Sequence, residues 1–129
     1  MDTHPHTDCR DNVATFLEHR ATNLDFDRAP IFYNDLTLQL DLPPVDQYWM
    51  SHPLCKVFDL LDREDVGANR PLRTALVISK ERNLPGEGFF KTMALLRNHR
   101  NPAKDSIAQM KLWADEVRRL LAYYSTSVT

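Results

Sequence analysis

Between Lys80 and Lys91 the chain gathers three basic side chains, Lys80, Arg82 and Lys91, around a glycine pair, Gly86 and Gly88, with Arg70 one segment upstream. Two glycines just before a helix leave backbone N–H groups free to point outward. The positive end of the helix dipole adds to them, so the chemistry that suits this pattern is the holding of a carboxylate or a phosphate. The segment is neither the phosphate loop that ends in Gly-Lys-Ser/Thr nor the three-glycine dinucleotide motif. Glu87, between the glycines, repels an anion unless it turns away. The plainer alternative is a tight turn in which the glycines serve backbone geometry alone. The chain has three glycines in 129 residues, and two of them lie here, so each is expected to hold a positive φ or a close backbone approach.

Other chemistry-bearing residues assemble less completely. Asp62, Glu64 and Glu87 are the carboxylates within reach of an acid–base role beside the glycine loop, although a charge cluster such as Asp62, Glu64 and Asp65 reads first as a solvated helix end. A strand closing on Lys80 resembles a metal-dependent phosphodiesterase core, but that chemistry wants an acidic residue two places before the lysine, where Ile78 stands. Cys55 and His52 are three residues apart and can share a helix face, yet no third group orients them. His4 and His6 with Asp8 and Cys9 sit on a polar tail without the supporting shell of a built metal site, and no metal or cofactor is implied. The aromatic residues Phe32, Tyr33, Tyr48 and Trp49 read as core packing.

The elements that must position these groups follow from periodicity. Val13, Phe16, Leu17 and Arg20 predict an amphipathic helix from Arg10 to about Thr22, preceded by an arm over residues 1–9. Ile31–Leu42 alternates Leu36, Leu38, Leu40 and Leu42 with polar residues as a half-buried strand does, while Leu36 and Leu40 would stack equally well on a short helix. Val45–Met50 reads as a helical turn or two. Leu54, Val57, Phe58, Leu60 and Leu61 predict a helix capped by Ser51 and ending near Glu64. Gly67 and Asn69 turn the chain into Leu72–Ser79, an apolar run that reads as a buried strand with Ile31–Leu42 as its partner. A helix from Glu87 or Gly88 carries Phe89, Phe90, Met93, Leu95 and Leu96. In the last helix, Ile107, Met110, Ala114, Val117, Leu121 and Tyr124 fall on a heptad seam with Trp113 and Leu120 beside them, and Asn101 or Asp105 is the cap. These elements define an α+β fold: one compact domain over residues 10–125, mostly helical, with a small sheet around Leu72–Ser79.

Composition bounds the function. A 43% apolar and 26% charged chain of this length supports one core, and a net charge of −2 argues against a protein devoted to coating nucleic acid. Two cysteines make no disulfide framework and fit a reducing cytoplasm. No stretch approaches the roughly eighteen apolar residues of a membrane span, and no secretory pattern opens the chain.

The segment Arg70-Pro71-Leu72, Ala75-Leu76-Val77-Ile78 with Lys80, and Pro85-Gly86-x-Gly88-Phe89-Phe90 resembles the signature of a small group of bacterial proteins without an established activity. The resemblance implies that Arg70, Lys80, Pro85, Gly86 and Gly88 meet in space. Tyr33-x-x-Leu36, followed by helices and a strand, is similar to the DNA-binding half of alkyltransferase-like proteins. Their reactive Pro-Cys-His motif is missing here, so no alkyl transfer is implied.

Two functional readings result. In the first, a non-enzymatic cytosolic binding module uses Arg70, Lys80, Arg82, Gly86, Gly88 and Lys91 to engage an anionic group on a protein or nucleic-acid partner. In the second, a small hydrolase uses the same loop as an anion cradle, with Asp62, Glu64 or Glu87 as acid–base groups and a concave pocket holding a perturbed carboxylate beside the glycines. A homodimer through the 105–124 helix is a further expectation.

Overall fold

The computed structural model describes residues 5–43, 52–96 and 105–125. Its order is α1 (Pro5–Asn23), β1 (Ile31–Phe32), α2 (Tyr33–Gln39), α3 (Pro53–Gly67), a 3-10 turn (Arg73–Leu76), β2 (Val77–Ile78), α4 (Glu87–Leu96) and α5 (Ser106–Ser125). The fold is α+β and mostly helical, with a two-stranded parallel sheet in which Ile31 pairs with Val77 and Phe32 with Ile78.

On α1, Val13, Leu17 and Ala21 form the buried stripe at i, i+4 and i+8. The helix starts at Pro5, so Pro5 to Cys9, expected as part of an arm, belong to it. Arg20, expected on the apolar face, is half-buried and acts through its guanidinium. Its Nε donates to the Ala29 carbonyl at 2.7 Å and its Nη2 to the Arg28 carbonyl at 2.6 Å, fixing the connector that delivers Ile31 to the sheet.

Ile31–Leu42 is the first correction. Only Ile31 and Phe32 are extended, and the chain turns helical at Tyr33. Leu36 is fully buried while Leu38 is 77% exposed, an outcome a strand would forbid because both would share one face. The expected strand partner is therefore right in place and much shorter in extent. Leu72–Ser79 is corrected in the same way: Arg73–Leu76 coils into a 3-10 turn and only Val77 and Ile78 are strand. The apolar run still fills the centre, since Leu72, Ala75, Leu76 and Val77 have no exposed surface.

Helix α3 is capped by His52, not Ser51. The His52 Nδ1 accepts from Leu54 N–H at 3.1 Å, while Nε2 lies 2.7 Å from the Pro43 carbonyl, so the ring is read as the tautomer protonated on Nε2. Ser51 and the helical turn expected over Val45–Met50 lie outside the described residues. The helix runs past Glu64 to Gly67 and closes in a Schellman motif. Arg70 N–H donates to the Asp65 carbonyl and Asn69 N–H to that of Val66, with Asn69 in the left-handed region at φ 58°. Gly67, expected to supply the turn, is ordinary helix.

Helix α5 keeps Val117 and Tyr124 of its expected seam, and Trp113 and Leu120 beside it, in the core, but is rotated away from the seam's first turns. Gln109, Trp113, Glu116, Val117, Leu120 and Tyr124 face the core, whereas Ile107 and Met110 are exposed. Polar anchors set this orientation: Trp113 Nε1 donates to the Ala75 carbonyl at 2.7 Å and Leu72 N–H to the Glu116 carboxylate at 2.6 Å. A heptad count weighs apolar positions alone and does not register such bonds. Asp105 caps the start, accepting from Ala108 N–H at 3.0 Å.

Candidate functional site

A hollow of about 760 Å³ opens between α3 and α4 and is roofed by the start of α2. Cys55, Phe58, Asp59 and Asp62 contribute one face of α3 at i, i+3, i+4 and i+7, and Gly86, Glu87, Gly88, Phe89, Lys91 and Thr92 the opposite wall. Tyr33 and Ser79 close the end. Phe58 and Tyr33 pack together in the wall as a tilted ring pair, with centroids 6.1 Å apart. Beyond Tyr33 and Ser79 a second hollow of about 550 Å³ is lined by Lys80, Glu81, Asn34 and Asp35. A smaller one of about 340 Å³ borders Arg20, whose guanidinium is already engaged with backbone carbonyls.

Asp62 is the group with unusual chemistry. It is only 4% exposed and yet lines the cavity. Thr74 Oγ1 donates to its Oδ1 at 2.6 Å, and its Oδ2 carries no hydrogen bond among the described residues. Burial pushes its pKa up to about 7; the Thr74 bond opposes the rise, and the nearby Asp65 and Asp59 charges add to it. Tyr33 is likewise pushed up by burial.

Three residues further along α3, Asp65 is fully buried in a different setting. Its carboxylate accepts from Arg73 N–H at 2.9 Å and Arg73 Nε at 3.2 Å, and from Arg70 Nε at 3.1 Å. Arg73 reaches on to Glu18 and Glu64, and Glu64 also binds Arg10. This network ties α1, α3 and the 3-10 turn together. The expectation that Asp62 and Asp65 lie in a solvated helix end is thus overturned. Both are in phase with the buried stripe of Leu54, Phe58 and Leu61, one and two turns on, and that phase was the available signal.

The six residues expected to form one site separate. Gly86, Gly88 and Lys91 border the main cavity and Lys80 borders the second hollow. Arg70 is paired with Asp65, and Arg82 Nη2 donates to Gln109 Oε1 on α5. Gly86 N–H donates to Tyr33 Oη at 3.2 Å, which occupies one of the backbone donors an anion would need. Neither glycine has a positive φ; Asn83 takes that role at 56°, in a loop closed by Ser79 N–H to the Leu84 carbonyl at 2.7 Å and Asn83 N–H to the Ser79 carbonyl at 2.8 Å. Asn tolerates the left-handed region through its short polar side chain, which relieves the glycines of the task.

The Cys55–His52 pair does not form a nucleophile and base, because the described bonds of both His52 ring nitrogens go to backbone groups. Cys9 and Cys55 are free thiols. Among the described residues no group of three His, Cys, Asp or Glu side chains is placed to hold a metal ion, and no helix is long and apolar enough to cross a membrane.

Sequence reasoning missed Tyr33, Phe58, Asp59, Ser79 and Thr92 as neighbours of the glycine loop. Tyr33 and Ser79 are brought there by the parallel pairing of β1 with β2, which no local pattern encodes. No family model matches the chain, and neither a curated protein nor a solved structure matches it.

Proposed function

We propose that the protein binds a small, partly apolar organic molecule in the cavity between α3 and α4, with Asp62 as the group that hydrogen-bonds to it and exchanges a proton with it. One observation carries this reading: a buried carboxyl that titrates near neutrality is set in the wall of a ring-lined cavity of about 760 Å³. Concavity, apolar walls and a few polar groups with perturbed acidity are what ligand sites have in common. Asp62 also favours a second reading, an acid–base enzyme, because proton transfer is most effective from a group whose pKa lies near the working pH. The free thiols Cys9 and Cys55 suit a cytoplasmic setting for either.

The test is a fragment screen by ligand-observed NMR, with hits located by amide shifts. Hits should move the amides of Gly86, Gly88 and Thr92 and raise the melting temperature. A ligand at about one hundred times its Kd stabilises the native state by roughly 2.7 kcal/mol. Hits that map to another face, or a screen without hits, overturn the proposal. Conversion of a hit at a rate governed by one ionisation near pH 7, lost in Asp62→Asn, would establish the enzymatic reading.

A further inference from the structure

The described cavity wall carries three carboxylates, Asp59, Asp62 and Glu87, against one cation, Lys91. Asp59 is answered by Arg63 at 3.1 Å on the outer face of α3, and Glu87 and Lys91 are exposed at the rim. Deeper in, Asp62 is more than nine-tenths buried and presents Oδ2 with no hydrogen-bond donor among the described residues. The backbone donor nearest the glycines, Gly86 N–H, is held by Tyr33. An anion entering here would meet an excess of negative charge and one fewer amide. A cation would meet a carboxylate acceptor, and the aromatic rings of Tyr33, Phe58 and Phe89 line the same wall, surroundings that suit positive charge better than negative. A metal ion is not what the arrangement suits, because no three ligating side chains converge among the described residues.

We propose that the cavity selects an organic cation, an ammonium or amidinium group lodged against Asp62 with an apolar, ring-sized body lying along Tyr33, Phe58 and Phe89. This rests on the small-molecule reading above and names its ligand class. Binding then favours the ionised form of Asp62, so association releases a proton and tightens as the pH rises through about 7. The charged or titratable groups around that carboxyl are Asp59 and Asp65 on its own helix, Arg73 on the 3-10 turn, Tyr33 on α2, and Glu87 and Lys91 on α4.

The experiment is a titration of the full chain, followed by amide shifts, with four probes of one size and differing charge: benzylamine, benzamidine, benzyl alcohol and benzoate. The two cations should shift Gly86, Gly88 and Thr92 and bind at least about tenfold more tightly than the alcohol, with benzoate weakest. Asp62→Asn should cost the cations about tenfold and leave the alcohol unchanged, and Glu87→Gln, at the exposed rim, should cost them a few-fold, an independent arm if Asp62→Asn does not fold. Between pH 6 and pH 8 the affinity for benzamidine should rise by about tenfold, the change in the ionised fraction of a group titrating near 7. If the alcohol or benzoate binds the cavity as tightly as the amines, cation selection is overturned and the pocket reading stands. If no probe moves a cavity amide, both fall.

Discussion

Asp62 and Asp65 lie three residues apart on α3, both are buried, and their surroundings differ in almost every other respect. Asp65 has two arginines and a backbone N–H aimed at its oxygens, and Arg73 extends that pairing to Glu18 and Glu64. Asp62 has one hydroxyl, no cation in contact among the described residues, and an open cavity in front of it. Burying a charge is tolerable where partners replace the lost water and costly where they do not. The first carboxylate is therefore explained by the fold it holds together. The second works against the fold whenever it ionises, which is why it, and not the larger charge cluster, marks the candidate site.

The strongest way to break this contrast is to take a partner from Asp65. Arg73→Met should lose about 3 to 5 kcal/mol in urea denaturation, the cost of leaving a buried charge short of its counter-ion. A loss below about 1 kcal/mol would mean that Arg70 and the backbone suffice. Asp62→Asn should act in the opposite direction. Between the ordinary aspartate pKa, near 4, and the native value of about 7, the folded state holds a proton the unfolded chain has lost, so stability falls as the pH rises and levels off above 7. The amide variant removes that slope, so it should match the wild type near pH 4 and exceed it at pH 8 by up to a few kcal/mol. Glu64 supplies the contrary trend: its hydrogen bond from Arg10 holds it below the usual carboxylate range, a contribution present above that range and lost on acidification. Denaturation midpoints from pH 4.5 to 8.5 separate the two, because only the Asp62 part vanishes in Asp62→Asn.

The same contrast explains what could be read from the sequence. Helices α3, α4 and α5 were legible because each has an apolar stripe at helical spacing, and the α+β class followed from them. Register within a helix was not: α5 turned away from the first turns of its apolar seam because Trp113, Glu116 and Gln109 each bind a group on another segment. Leu36, Leu38 and Leu40 fit strand and helix alike, and only the place where Ile31 pairs with Val77 decided between them. Of the site, Gly86, Gly88 and Lys91 were found beside the cavity, and Asp62 was named among the acid–base candidates. Arg70 and Arg82 were drawn toward the loop by charge and proximity in sequence, whereas Asp65 and Gln109 claim them in space.

A smaller change tests whether the two carboxylates differ through their partners or merely through their places on α3. His52 caps the helix that carries both. His52→Ala should cost about 1 kcal/mol, within the usual range of 0.5 to 2 for losing a cap, and His52→Asn should recover most of it. Because the cap itself needs an unprotonated His52 Nδ1, the Asp62 part is read as a difference: in each His52 background the gap in stability between Asp62 and Asp62→Asn should keep the same dependence on pH. A gap that changed along with the cap would mean that helix end-fraying, and not burial beside the cavity, sets the titration of Asp62.

The mildest substitution addresses the opposite wall. Gly88 lies in the first turn of α4, its φ is not positive, and a Cβ there would meet no atom within 4 Å. Nothing in the fold requires glycine at this position, and alanine removes backbone freedom from the unfolded chain, so Gly88→Ala should raise stability by about 0.4 to 1 kcal/mol. Gly86→Ala is a stricter comparison, since its Cβ would come within 3.5 Å of the Tyr33 hydroxyl, an ordinary contact. If both variants fold as well as the wild type and Gly88→Ala alone weakens benzamidine, the open space over Gly88 is ligand space. On that outcome the α4 wall, like Asp62, is shaped by what the cavity holds, in contrast to Asp65 and its arginines, which are shaped by the fold.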